Sequence, residues 1–242
     1  MTQNDFSIEV SYGSGTEDFT PEMKAAIKVA ADTWEDAILQ SNFEEEHTLE
    51  IEVIGKELAK KASLNGTAPI AQAIFTETEL DPDNNNLPTA GASVVNTSTE
   101  TLQELEEDPE QFSRVMIHEF GHVMGIGTLW EENDLIDPIT GVYHSDTNAG
   151  EAFNRIYKTD RDIDIPLSKI DTNGEGEKVF AHWDERSFGN ELMSPQIESS
   201  AEVSMPLSEI TLASLEDIGW NVVDGAAEAF PDSDTNASLG FI

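Results

Sequence analysis

His118-Glu119-Phe120-Gly121-His122 is the segment whose residue types and spacing read most directly as chemistry. On a helix, positions i and i+4 share a face. Two imidazoles one turn apart can grip a single Zn²⁺ through nitrogens at about 2.0–2.1 Å. Glu119 sits one residue on, rotated by about 100°. It can reach a water on the metal without filling the coordination sphere. Zinc draws the pKa of such a water toward about 7, and a carboxylate in reach can take its proton. The chemistry this predicts is hydrolysis of a peptide carbonyl polarised by the same ion, with Glu119 as general base.

A catalytic zinc takes three protein ligands and keeps one position open. Here two are in hand. The pattern H-E-x-x-H-x-x-G-x-x-H would put the third at position 128, which is Thr128. Gly125 of that pattern is present and would turn the chain back toward the metal. The remaining histidines are His47, His144 and His182, and spacing alone does not choose among them. His47 follows Glu44-Glu45-Glu46 and reads as a solvated, charge-paired surface group. His144 lies in a Tyr143–Ser145 loop and reads as an exposed loop residue.

The elements that must position these groups are legible nearby. Asp108-Pro109-Glu110-Gln111 is a helix start, with Asp as cap, Pro at the first position and Gln at the third. It predicts a helix over 109–124, with Gly125 placed to end it. Thr20-Pro21-Glu22 opens another, over 21–40, with Met23, Ile27, Ala30, Trp34 and Ile38 on one face. Alternation predicts strands at 6–11 and 48–54, with further strands at 70–75 and 92–95. Asp81–Pro88 reads as a loop. Residues 131–181 are rich in Asp, Gly, Asn and Pro, with one helix expected at 149–158. Residues 207–218 read as a last helix, stopped by Gly219. Trp130 and Trp183 read as core.

Composition limits the function classes. The chain has 242 residues, 49 acidic and 12 basic side chains, and a formal net charge of −37. Nucleic-acid binding needs a basic footprint, which is missing. Anionic lipid surfaces are disfavoured for the same reason, and no apolar run is long enough to cross a membrane. Without Cys there is no disulfide framework and no thiolate nucleophile or ligand. Self-repulsion at this charge opposes compaction, and salt relieves it, since the Debye length falls to about 3 Å at 1 M. The composition therefore points to adaptation to high salt, the alternative being an acidic protein that relies on bound calcium. Asp81-x-Asp83-x-Asn85, Asp171-x-Asn173-x-Glu175 and Asp232-x-Asp234-x-Asn236 echo the start of a calcium loop. None has Glu at the twelfth position, so Ca²⁺ is only a secondary expectation. MTQNDFSIEV has neither a basic n-region nor an apolar h-region and does not read as a signal peptide.

HEFGHVMGIGTLW (118–130), a long insertion and then HWDERSFGNELMSP (182–195) together resemble leishmanolysin, the M8 peptidase family, and its bacterial and archaeal relatives. In that family an insertion follows the Gly after H-E-x-x-H and precedes the third zinc-binding His. An E-L-M segment follows, whose Met forms the Met-turn. The resemblance implies His118, His122 and His182 as ligands of one catalytic Zn²⁺, Glu119 as base and Met193 as the Met-turn residue. PLSEITLASLEDIGW (206–220) resembles the helix after the Met-turn, and LPTAG (87–91) carries a fainter likeness. Leishmanolysin itself is cysteine-rich, so its disulfide scaffold does not carry over.

The expectation is then an α+β, metzincin-like, two-lobed zinc protease domain. Residues 1–125 would form the catalytic lobe with its twisted sheet and two long helices. Residues 126–224 would supply the third ligand and the Met-turn, and 225–242 an acidic, loosely held tail. The expected function is zinc endopeptidase action on protein or peptide substrates by a monomer. The resemblance implies an extracellular or cell-surface setting. The competing reading is an inactive or calcium-dependent binding or adhesion module on the same fold. A hydrolase acting on a non-peptide bond is a third, against which the Met-turn segment argues.

Overall fold

In the computed structural model, the cap signals start helices where the sequence puts them. The structure describes residues 6–39, 47–58, 69–74, 80–81, 87–159, 162–169, 179–196 and 204–229. Thr20 accepts a hydrogen bond from the Met23 N–H, and α1 runs Pro21–Ala37. It is three residues shorter than expected, because Ile38 turns extended at φ −97° and ψ 126°. Its buried stripe is Met23, Ala26, Ile27, Ala30, Ala31, Trp34 and Ala37, the apolar face that the spacing requires.

Contacts divide the chain into two compact units, Met1–Met124 and Gly125–Ile242. In the first, β1 (Phe6–Tyr12), β2 (His47–Lys56), β3 (Ala71–Ile74) and β6 (Ala90–Asn96) form a sheet in the order β1-β2-β6-β3. β1 and β2 pair in parallel with Phe6 opposite His47, and α1 is their crossover. β6 is parallel to β2, and β3 closes the edge antiparallel to β6. Three of these strands run slightly longer than the alternation predicts, whereas β3 is shorter, with Phe75 outside the described residues. β4 (Leu80–Asp81) and β5 (Leu87–Pro88) pair as a short ribbon where a loop was expected; residues 82–86, and with them the first calcium-like spacing, lie outside the described residues.

α2 (Thr99–Glu107), capped by Ser98, was not anticipated. Its one buried residue is Leu105, so it carries no apolar stripe to read. α3 runs Pro109–Val123, with the Asp108 carboxylate accepting from the Gln111 N–H at 2.9 Å. Phe112, Val115, Met116 and Phe120 are fully buried. The helix is held on two sides. The Trp34 indole N–H donates to the Ile117 carbonyl at 2.9 Å. On the sheet side, Gly91 of β6 leaves room for Val123, whose Cγ1 would stand 2.5 Å from any Cβ there. One expectation is corrected: His47 is 2% exposed, not a surface group. It stacks on Phe6, and its Nε2 lies 3.0 Å from the Pro88 carbonyl.

The second unit holds β7 (Ile136–Asp137), β8 (Val142–Tyr143) and β9 (Ile165–Pro166), a three-stranded antiparallel sheet where irregular chain was expected. α4 (Asn148–Ile156) falls where a helix was expected and packs on α6 (Glu209–Ile218). α6 begins two residues late because Ser208 is its cap rather than its second residue. A short helix, α5, covers Glu185–Phe188. Asp217 joins the parts, accepting from the Tyr143 hydroxyl and from the N–H groups of Asn148 and Ala149 at the start of α4. The core is aromatic: Trp130, Tyr143, Trp183 and Phe188 pack with ring centroids 4.6 to 5.5 Å apart. The chain is thus a mixed α and β protein. The calcium-like spacings at 171–176 and 232–236 lie outside the described residues.

Candidate metal site

His118, Glu119 and His122 all lie in the last turns of α3, and all three are buried, at 4%, 7% and 6% exposure. Burying polar side chains is costly unless they are engaged. The i, i+4 spacing brings the two imidazoles edge to face, with centroids 4.7 Å apart. Their Nε2 atoms face each other at 3.1 Å. Two Zn–N bonds of about 2.05 Å at a tetrahedral angle would set the nitrogens about 3.3 Å apart. The pair therefore fits one zinc ion with small adjustment. Neutral imidazoles are also the commonest metal ligands.

Glu119 points elsewhere on the same helix, as its rotation demands. Its Oε2 accepts from the Ala73 N–H on β3 at 2.5 Å. Ala73 is held in the ladder with β6, opposite Ser93 and between Gln72 and Ile74. The edge strand thereby fixes the rotamer of the carboxylate.

The second unit carries His182, half-buried, and builds its surroundings in detail. Its carbonyl accepts from the Ser168 N–H at 2.9 Å. Trp183 bridges Leu167 antiparallel and is fully buried. Gly127 sits at φ +76°, and a Cβ there would stand 2.1 Å from the Ala181 carbonyl oxygen. The chain beyond the helix stop thus packs backbone to backbone against the residue preceding His182, as only Gly permits. Met193 is fully buried, and its carbonyl accepts from the Trp183 N–H at 3.1 Å. His144 is half-buried, and Glu131 and Glu132 are exposed.

One group the sequence reading missed is Glu191, wholly buried in this unit. Its Oε2 accepts from the Met193 N–H at 2.5 Å. Its Oε1 accepts from the Ser208 hydroxyl at 2.7 Å and from the Thr211 hydroxyl. Burial pushes its carboxyl pKa up, and these hydrogen bonds pull it back down. Its place in the E-L-M segment was the available signal.

His118 and His122 on α3 each offer one ring nitrogen to a metal, and His182 of the second unit carries a further one. A family model described as leishmanolysin, peptidase M8, matches residues 68–242 and so spans His118, Glu119, His122, His182 and Met193, the five residues singled out by the motif and the resemblance. Comparison with curated proteins gives no match.

Proposed function

The chain belongs to the leishmanolysin family of metalloproteases, and from that premise we propose that it is a zinc endopeptidase cutting internal peptide bonds of proteins. The observation that carries the reading is the buried pair of Nε2 atoms 3.1 Å apart with Glu119 on the same helix. We assign His182 as the third ligand, in line with the family resemblance and with the imidazole nitrogen it offers. Bound there, zinc would supply a Lewis acid that acidifies a water and polarises the scissile carbonyl.

The protein's own groups then have distinct tasks. The three imidazoles would hold the ion through one ring nitrogen each. Glu119 takes a proton from the attacking water and passes it to the leaving amine. Ala73 keeps Glu119 in one rotamer, which avoids reorganisation during the reaction. β3 is an edge strand of the described sheet, and an extended substrate would add alongside it. The reading includes a metzincin-like organisation, with a catalytic lobe at 1–125 and a second lobe at 126–224. Met193 is assigned as the Met-turn residue, and 225–242 as an acidic tail. The charge of −37 supports a high-salt setting, and the family resemblance an extracellular or cell-surface one.

Glu119→Ala tests the assignment of the base. Zinc content should stay at the wild-type level while casein hydrolysis falls by about 10²–10⁴-fold, the usual worth of a general base. Full activity in that variant would overturn the mechanism.

A further inference from the structure

Glu191 is a carboxyl group buried without a cationic partner among the described contacts, and its bonds converge on one neighbour. The Trp183 indole N–H donates to the Thr211 hydroxyl at 2.8 Å. That hydroxyl in turn donates to Glu191 Oε1. On the other oxygen, Glu191 holds the Met193 N–H, while the Met193 carbonyl receives the Trp183 N–H. Trp183 is therefore gripped twice, through its side chain and through its backbone, and both grips end on one carboxylate. Trp183 is the residue after His182. The Thr211 hydroxyl has a single proton, so accepting from the indole and donating to position 191 requires an acceptor there. A carboxylate also presents an acceptor to Met193, which an amide in the same orientation would not.

We propose that Glu191 is the positioning residue of the third zinc ligand, locking Trp183 through Thr211 and Met193 so that the His182 imidazole is held in its ligating orientation. The inference rests on the zinc-site reading above. Partners one shell out from a metal ligand commonly cost 10–100-fold in metal affinity when removed. A purely structural role would lower the stability of the metal-free chain and leave affinity alone.

Glu191→Gln keeps an oxygen for Thr211 and Ser208 but sets an amide N–H₂ against the Met193 N–H. Thr211→Val removes the link to Trp183, and Thr211→Ser restores it. Asn154→Ala, which cuts bonds to Gly150, Thr159 and Ile163, serves as a destabilising control elsewhere in the same unit. The readouts are zinc affinity by chelator competition, the absorption spectrum of the Co²⁺-loaded protein, and urea unfolding of the metal-free chain. Glu191→Gln and Thr211→Val should bind zinc about 10–100-fold more weakly, with altered Co²⁺ bands. Thr211→Ser should return to wild type, and Asn154→Ala should lose stability only. Affinities in Glu191→Gln and Thr211→Val that match Asn154→Ala would overturn the inference while leaving the zinc site standing. A wild-type chain that binds no zinc would overturn both. Should Glu191→Gln not fold, the Thr211 pair decides the same question.

Discussion

Gly127→Ala should damage the protein by a mechanism that its closest control does not share. Gly127 lies at φ +76°, and a Cβ would meet the Ala181 oxygen at 2.1 Å and its Cα at 2.6 Å. Even a close C···O contact is about 3.3–3.6 Å, so the Ala181 backbone would have to retreat by more than about 1 Å. Gly225 also has positive φ, +80°, with nothing within 4 Å of the added carbon. Gly225→Ala should thus cost only the left-handed backbone, about 1–2 kcal/mol. Gly127→Ala adds an overpacking cost of about 1–3 kcal/mol. Urea unfolding of the two variants would resolve that difference. The displaced residue precedes His182, and a misplacement of about 1 Å can cost about 100-fold in rate. Casein hydrolysis should therefore fall by that order in Gly127→Ala and hold near wild type in folded Gly225→Ala. If the two variants matched in both stability and activity, the described approach of Gly127 to Ala181 would be wrong.

Trp34→Phe should destabilise by about 2 kcal/mol, about half from the lost bond to Ile117 and half from the cavity left by the smaller ring; a change below the error of urea unfolding would refute the clamp on α3. The Tyr157 phenol is pushed up to about 12, mainly by burial and then by the charge of Glu191, and burial also raises Tyr12 and Tyr143. Raised folded values favour the neutral phenol, so this stabilisation is intact below about 10 and is lost as pH rises through the folded values. Ultraviolet titration should show phenolate appearing at higher pH in the native chain than in the unfolded one, and coincident curves would count against the burial. The unfolding midpoint should climb as KCl approaches about 1 M, where the Debye length is about 3 Å. CaCl₂ at matched ionic strength should do the same, and a rise seen only with trace Ca²⁺ would point to specific calcium sites instead.

The helices that carry the chemistry were legible because their signals are local. Asp108-Pro109 and Thr20-Pro21 start α3 and α1 in the structure as in the sequence. α2 was not legible, since a helix with one buried residue has no stripe to betray it. The strands β7, β8 and β9 are two residues each, too short for alternation to be seen. His47 was misread because its burial is decided by Phe6 and Pro88, each 41 residues away, while its chain neighbours are acidic. Glu191 was passed over for a similar reason. Its hydroxyl donors lie 17 and 20 residues on, at Ser208 and Thr211, and no spacing rule joins them. The histidine pair on α3 was legible because helical geometry brings i and i+4 together. His182 needed the family resemblance, since nothing local marks it apart from His144.

Zinc stoichiometry by elemental analysis, on wild type and His182→Ala in molar salt, tests the central claim most directly when casein hydrolysis is measured on the same samples. One zinc per wild-type chain, with metal and activity both lost in the variant, is the predicted result. Zinc and activity retained in His182→Ala, or zinc without hydrolysis in the wild type, would contradict the three-histidine peptidase site.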